Sequence, residues 1–248
     1  MRSRELSALK TLVYAACLAG CLILPAGCSG SKVRTQASPE LPSYQIKTIA
    51  LVPFTTMTTP QFRDIGDQRM STPESVKRSN ISIAIPPSAE ERLRQTVTVP
   101  AYAAEKITQL FWNRLRNRTD ITVLSPFDVA KSDGVEAVAG TATSPEAAAA
   151  LAKKLHVDVA LVGRVSVYQE RVGSRLGASP PAAVGFEVKA VASNGRILWI
   201  GNFYERQQPM TEDFFGFLRR WAFVTAEELA RDGVDGLIKE FPFGRMKD

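Results

Sequence analysis

The sequence has one imidazole, His156, and three thiols, Cys17, Cys21 and Cys28, all within the first 28 residues. Zinc is held by a tetrahedral set of nitrogen and sulfur ligands. A Ser-His-Asp triad needs an imidazole placed between a nucleophile and a carboxylate. Beyond Cys28 the chain has no cysteine, which excludes disulfides, thiolate metal sites and cysteine nucleophiles there. His156 stands between a helical and a strand pattern and reads as a junction residue. The paired carboxylates Asp64/Asp67, Glu90/Glu91 and Glu227/Glu228 have no second partner placed across a cleft, so general acid–base chemistry has no support. Gly173, Arg175 and Gly177 loosely resemble a phosphate loop. No helix follows to offer its amino terminus to an anion, so Gly173 to Pro181 reads as a hairpin loop. Trp112, Trp199 and Trp221 fall within apolar patterns and read as packing residues. The expectation is a protein that is not an enzyme, with no catalytic residue, metal or cofactor.

Chemistry of another kind is written at the amino terminus. Arg2, Arg4 and Lys10 precede an apolar stretch from Leu12 to Ala26, the pattern of a secretory signal. The stretch is short for a membrane-spanning helix and Pro25 interrupts its end. Leu18-Ala19-Gly20-Cys21 and Pro25-Ala26-Gly27-Cys28 both resemble the lipobox of bacterial lipoproteins. That resemblance implies a diacylated cysteine at the mature amino terminus, taken here as Cys28 with Cys21 as the alternative. Cys28 lies at the end of the apolar run, whereas Cys21 has the better letters before it. Neither Ser29 nor Leu22 is the Asp that marks inner-membrane retention in enteric bacteria, so the resemblance implies an outer-membrane lipoprotein, held by diacylglycerol and palmitate chains on the periplasmic face. Leaving out the three basic and one acidic residue of positions 1–28 reduces the net charge from +6 to +4. That mild balance lacks the basic stripe of a nucleic-acid binder.

These features need elements to position them. Ser29 to Ser43 is polar, holds Pro39 and Pro42, and reads as a flexible tether. Tyr44 to Phe54 is apolar on both faces and reads as a central strand. Thr55 to Val99 has no sustained period and reads as an insertion. Its Ile81–Ile85 piece alternates, but is shorter than a barrel strand. Pro100 to Asn117 has helical spacing and ends in Arg114, Arg116 and Arg118, which suit a helix carboxyl terminus. Ile121 to Leu124 reads as a short strand, and Ser144-Pro145 opens a second helix. The run from Val157 is two-sided, then one-sided past Gly163. AVGFEVKAVA and RILWIGNFYE alternate with period two around Asn194-Gly195, which predicts a type I′ hairpin. Asp213 to Arg220 reads as a short helix, and Thr225 with Glu228 forms a capping box for a last one.

The order predicts a single α/β domain: a mixed sheet with a carboxyl-terminal antiparallel hairpin and helices packed on it. Expected boundaries are a signal peptide over 1–27, a lipidated tether over 28–43, and a domain over 44–248 with an insertion at 55–99. IALVPF, ITVLSPFDVAK and AALAKKLHVDVALVGRVSVY resemble the domain shared by curli-secretion lipoproteins of the CsgG type, penicillin-binding-protein activators of the LpoB type and the TolB amino-terminal domain. QERVGSR, PAAVGFEVKAV, NGRILWIGNF and WAFVTAEELARDGV are similar to a group of proteobacterial lipoproteins within that class. The resemblance implies a periplasmic module that works through contacts with an envelope protein or with itself. The expected contact surface is the edge and loop of the hairpin: Arg171, Gly173, Arg175, Glu187 and Lys189. The alternative is a self-assembling structural or secretion-channel component.

Overall fold

Apolar residues on both faces call for cover on both faces, and that requirement organises the sheet. The computed structural model describes residues 32–57, 61–62, 96–132, 144–175, 177–178, 180–207 and 222–246. The elements are β1 (Val33–Ala37), β2 (Thr48–Leu51), β3 (Thr55–Thr56), β4 (Gln61–Phe62), β5 (Thr96–Val97), α1 (Ala101–Leu115), β6 (Arg118–Thr119), β7 (Thr122–Leu124), α2 (Pro126–Ala130), α3 (Pro145–Lys154), β8 (Val159–Gln169), β9 (Ala183–Ala192), β10 (Ile197–Arg206), α4 (Ala226–Lys239) and β11 (Arg245–Met246). The main sheet runs β1-β10-β9-β8-β2-β7, with β3 also on β8. β7, β2 and β8 are parallel, while β8, β9, β10 and β1 are antiparallel in turn. The predicted α/β class, mixed sheet and packed helices are all present.

The two sheet faces are covered unequally. α1 and α4 cover one face, burying Ile107, Phe111, Leu229 and Leu237 against Leu161, Phe186, Val188 and Trp199. α4 approaches β10 closely because two glycines leave room for rings. A Cβ at Gly201 would lie 2.4 Å from the Trp199 ring, and one at Gly233 would lie 2.4 Å from the Phe203 ring. On the other face Ala148, Leu151 and Ala152 of α3 and Val129 of α2 pack on Ala50, Val52, Ala160, Val162 and Val191. That second core reaches only the parallel half and Val191.

Local signals explain most helix ends. Thr225 and Glu228 make the expected reciprocal capping box. Ser144 Oγ accepts from the Ala147 N–H at the start of α3. His156, at φ +53°, ends α3 as a left-handed residue. Its N–H donates to Lys153 O and the Val157 N–H donates to Ala152 O, the paired bonds of a Schellman motif.

Two expectations are corrected. Val33–Ala37, read as tether, is a strand paired antiparallel with β10 from Val33↔Phe203 to Ala37↔Trp199. Its pairing replaces the solvation that its polar composition suggested. The hairpin turn is also not type I′, because Asn194 keeps negative φ and only Gly195 is positive, at +90°. Gly195 N–H donates to Ala192 O and Ala192 N–H donates to Arg196 O, a type I turn closed by a glycine bulge. Asn194 instead uses its side chain, donating to Tyr44 Oη and accepting from Arg196 N–H. Ile81–Ile85, the carboxylates Asp64, Asp67, Glu90 and Glu91, Trp221, and the helix expected at Asp213–Arg220 lie outside the described residues.

Candidate interaction surface

The register separates the five expected contact residues. Glu187 and Lys189 alternate with Phe186 and Val188, so they occupy the face away from α1 and α4. β9 lies inside the sheet, and the outer edge of β10 is occupied by β1, so the hairpin has no free edge for strand addition. What these residues share instead is a sheet face that α3 covers over Val162 and Val191 and that no described helix covers over β10 and β1. One cross-strand row runs Arg164–Glu187–Asn202–Arg34 over β8, β9, β10 and β1; the next runs Val162–Lys189–Ile200–Gln36. Lys189 Nζ lies 2.6 Å from Glu187 Oε1. Arg34, Gln36, Asn202 and Tyr204 are exposed, and no described helix packs on this face of β10 and β1. Arg164, Lys189 and Arg34 share this face with the Glu187 carboxylate, which gives it positive character.

Arg171, Gly173 and Arg175 belong to a different place, the β8–β9 loop at the carboxyl end of the parallel strands. Gly173, at φ +121°, bridges to Ala178 and folds the loop back on itself. The loop is fixed to the start of α4: Phe223 N–H donates to Arg175 O, and Ala226 N–H donates to Glu170 Oε2. The Thr225 N–H holds the Glu228 carboxyl below its usual range, and the positive charges of Arg175 and Arg171 act in the same direction. Next to it, hydrogen bonds from Lys106 and Arg231 depress Glu227. Tyr168 is buried beneath Tyr102, edge to face at 5.8 Å. Burial first, and then the Glu170 charge, push its phenol well above the usual value. A phenol raised this way stays protonated and is no base.

Sequence reasoning missed two structural uses of charge. Arg118, one of three arginines at the end of α1, is buried and donates to Ile238 O, Phe241 O, Phe243 O and Gly244 O. It thus caps the carboxyl end of α4 rather than its own helix. Asp158 accepts from the Lys47 and Thr48 N–H groups and from Thr48 Oγ1, each at 2.9 Å. Burial alone would raise its pKa, but these bonds outweigh burial and hold it below the ordinary carboxylate value. Neither role has a local signal, because both partners are distant in sequence. Arg114 pairs with Asp235 through two hydrogen bonds on the exposed side.

No family model and no curated protein matches the chain. Solved structures similar to it include a PelC dodecamer from Paraburkholderia phytofirmans, at 14% identity over 83% of this chain and 95% of that one, TM-score 0.38. The LpoB C-terminal domain from Salmonella enterica matches at 14% identity over 65% of this chain and 83% of that one, TM-score 0.32. Lipoprotein GNA1162 from Neisseria meningitidis matches at 16% identity over 70% of this chain and 91% of that one, TM-score 0.24. These likenesses are too distant to bear on function.

Proposed function

We propose that the chain is an outer-membrane-anchored periplasmic lipoprotein whose domain is a non-enzymatic, protein-binding module in envelope assembly, secretion or cell-wall synthesis. The signal and lipobox patterns support the anchor. The observation that carries the binding role is the cation-rich sheet face, uncovered by any described helix over β10 and β1, on which Arg164, Lys189 and Arg34 lie with Glu187. A rigid sheet face held by two helices on its far side fits an acidic protein surface with little ordering cost. Crosslinking in membranes of the host, followed by recovery on a carboxyl-terminal tag, should enrich one envelope protein. The double variant Arg164→Glu/Lys189→Glu should lose that partner while its circular dichroism stays unchanged. Retention of the partner by this variant would sink the assignment of the face. Metabolic palmitate labelling should be abolished by Cys28→Ala and kept by Cys21→Ala.

The alternative, self-assembly, draws support from β1, whose residues 34–37 are exposed along the outer edge of the sheet. Recovery of the chain alone, at a multiple of its monomer mass, would favour it.

A further inference from the structure

Four large apolar side chains are strongly exposed among the described residues: Tyr102, Phe127, Val172 and Tyr204. Tyr102, Val172 and Tyr204 lie at one end of the sheet. Tyr102 is in the first turn of α1 and touches Tyr168 near the end of β8. Val172 is in the β8–β9 loop and Tyr204, level with Val167, is near the end of β10; Phe127 lies elsewhere, because it follows Leu124 of β7, which is level with Ala160. Since β1 is antiparallel to β10, the amino terminus of β1 is at this same end: Tyr204 N–H donates to Lys32 O, and Lys32 Nζ pairs with the buried Glu205 carboxylate.

That pairing fixes where a lipid anchor must attach. Only Ser29, Gly30 and Ser31 separate Cys28 from Lys32. Fully extended, the four steps from Cys28 to Lys32 span about 14 Å. The polar headgroup layer is itself about 5–8 Å deep on each side of the bilayer. Such a tether leaves Lys32 at most about 6–9 Å clear of the headgroup layer.

We propose that this end of the sheet docks on the bilayer, with Val172, Tyr204 and Tyr102 at headgroup depth and Arg171 and Arg175 against anionic lipid phosphates. Aromatic side chains favour that interface, and cations near it are drawn to anionic lipid. The neighbouring carboxylates are already engaged: Glu170 with the start of α4, Glu205 with Lys32, Glu227 with Lys106 and Arg231, and Glu228 in its capping box. The proposal rests on lipidation at Cys28; attachment at Cys21 would add seven residues and release the constraint. It also divides the expected contact residues by task, with Glu187 and Lys189 toward a protein and Arg171 and Arg175 toward lipid.

The mature chain has no thiol besides the acylated one, so single cysteines can be labelled uniquely. The full protein, extracted from host membranes, would carry Val172→Cys, Tyr204→Cys or Lys153→Cys with an environment-sensitive fluorophore. It would be reconstituted in vesicles of phosphatidylethanolamine and phosphatidylglycerol containing nitroxide-labelled lipid. Positions 172 and 204 should be quenched and blue-shifted, and position 153, at the opposite end of α3, should not. Vesicle flotation with equal quenching at all three positions, or with none, would overturn the docking while leaving the lipoprotein reading intact. Failure of the protein to float would remove the anchor, and the docking with it.

Discussion

The two ends of the sheet are built on different principles. At the amino ends of the parallel strands the connections are short and tied down. Asp158 gathers the Lys47 and Thr48 donors, His156 closes α3, Asn194 links the hairpin to Tyr44, and Arg118 collects four carbonyls in the last turn of α4 and just beyond it. At the carboxyl ends of β8 and β10, longer stretches of chain follow, and Tyr102, Val172 and Tyr204 are exposed there. Hydrogen bonds that satisfy buried backbone are spent where the fold is secured. Unspent surface is left where something else is to be met.

The largest test of that contrast is Arg118→Ala. It strands four carbonyls at a buried helix end and should cost about 3 kcal/mol or more in chemical denaturation. Arg118→Lys should recover little, because an ammonium cannot reproduce the planar fork. A loss below 1 kcal/mol would mean that the amino end is not secured this way (about the net value of one ordinary hydrogen bond). Next, Asp158→Ala should cost about 1–2 kcal/mol at neutral pH. The Asp158 pKa is depressed in the folded state, so its contribution is present above the unfolded value and lost as pH falls through the folded one. The gap between wild type and variant should therefore close below about pH 4. A gap independent of pH would assign the effect to packing. His156→Gly should act in the opposite direction, stabilising by about 1 kcal/mol, because a left-handed residue with a Cβ is strained. The smallest effects belong to the other end: Val172→Asp and Tyr204→Ser should change stability by less than about 0.5 kcal/mol. A large loss from either would show that the carboxyl end is core rather than surface.

Much of this architecture is legible in the sequence, for identifiable reasons. The period-two runs of β9 and β10, the two-sided β2 and β8, and the Thr225–Glu228 box are local patterns whose physics is complete within a few residues. β1 is not legible, because VRTQA has only two apolar residues and gains its strand from a partner more than 160 positions away. The Arg118 clamp is hidden for the same reason: its acceptors lie 120 to 126 residues downstream. The hairpin pattern alone groups the five contact residues. Pairing by β1 and burial of β9 within the sheet redistribute them between a face and an end, which alternation alone does not reveal.

β1 is also the link through which any pull on the amino terminus enters the domain. Its bonds to β10 lie across the strand direction. A load drawn along the strand therefore stretches the whole five-residue ladder together, rather than opening it one bond at a time. The first strand would behave as a mechanical clamp, holding the domain to its anchor under shear while leaving it free to peel if pulled sideways.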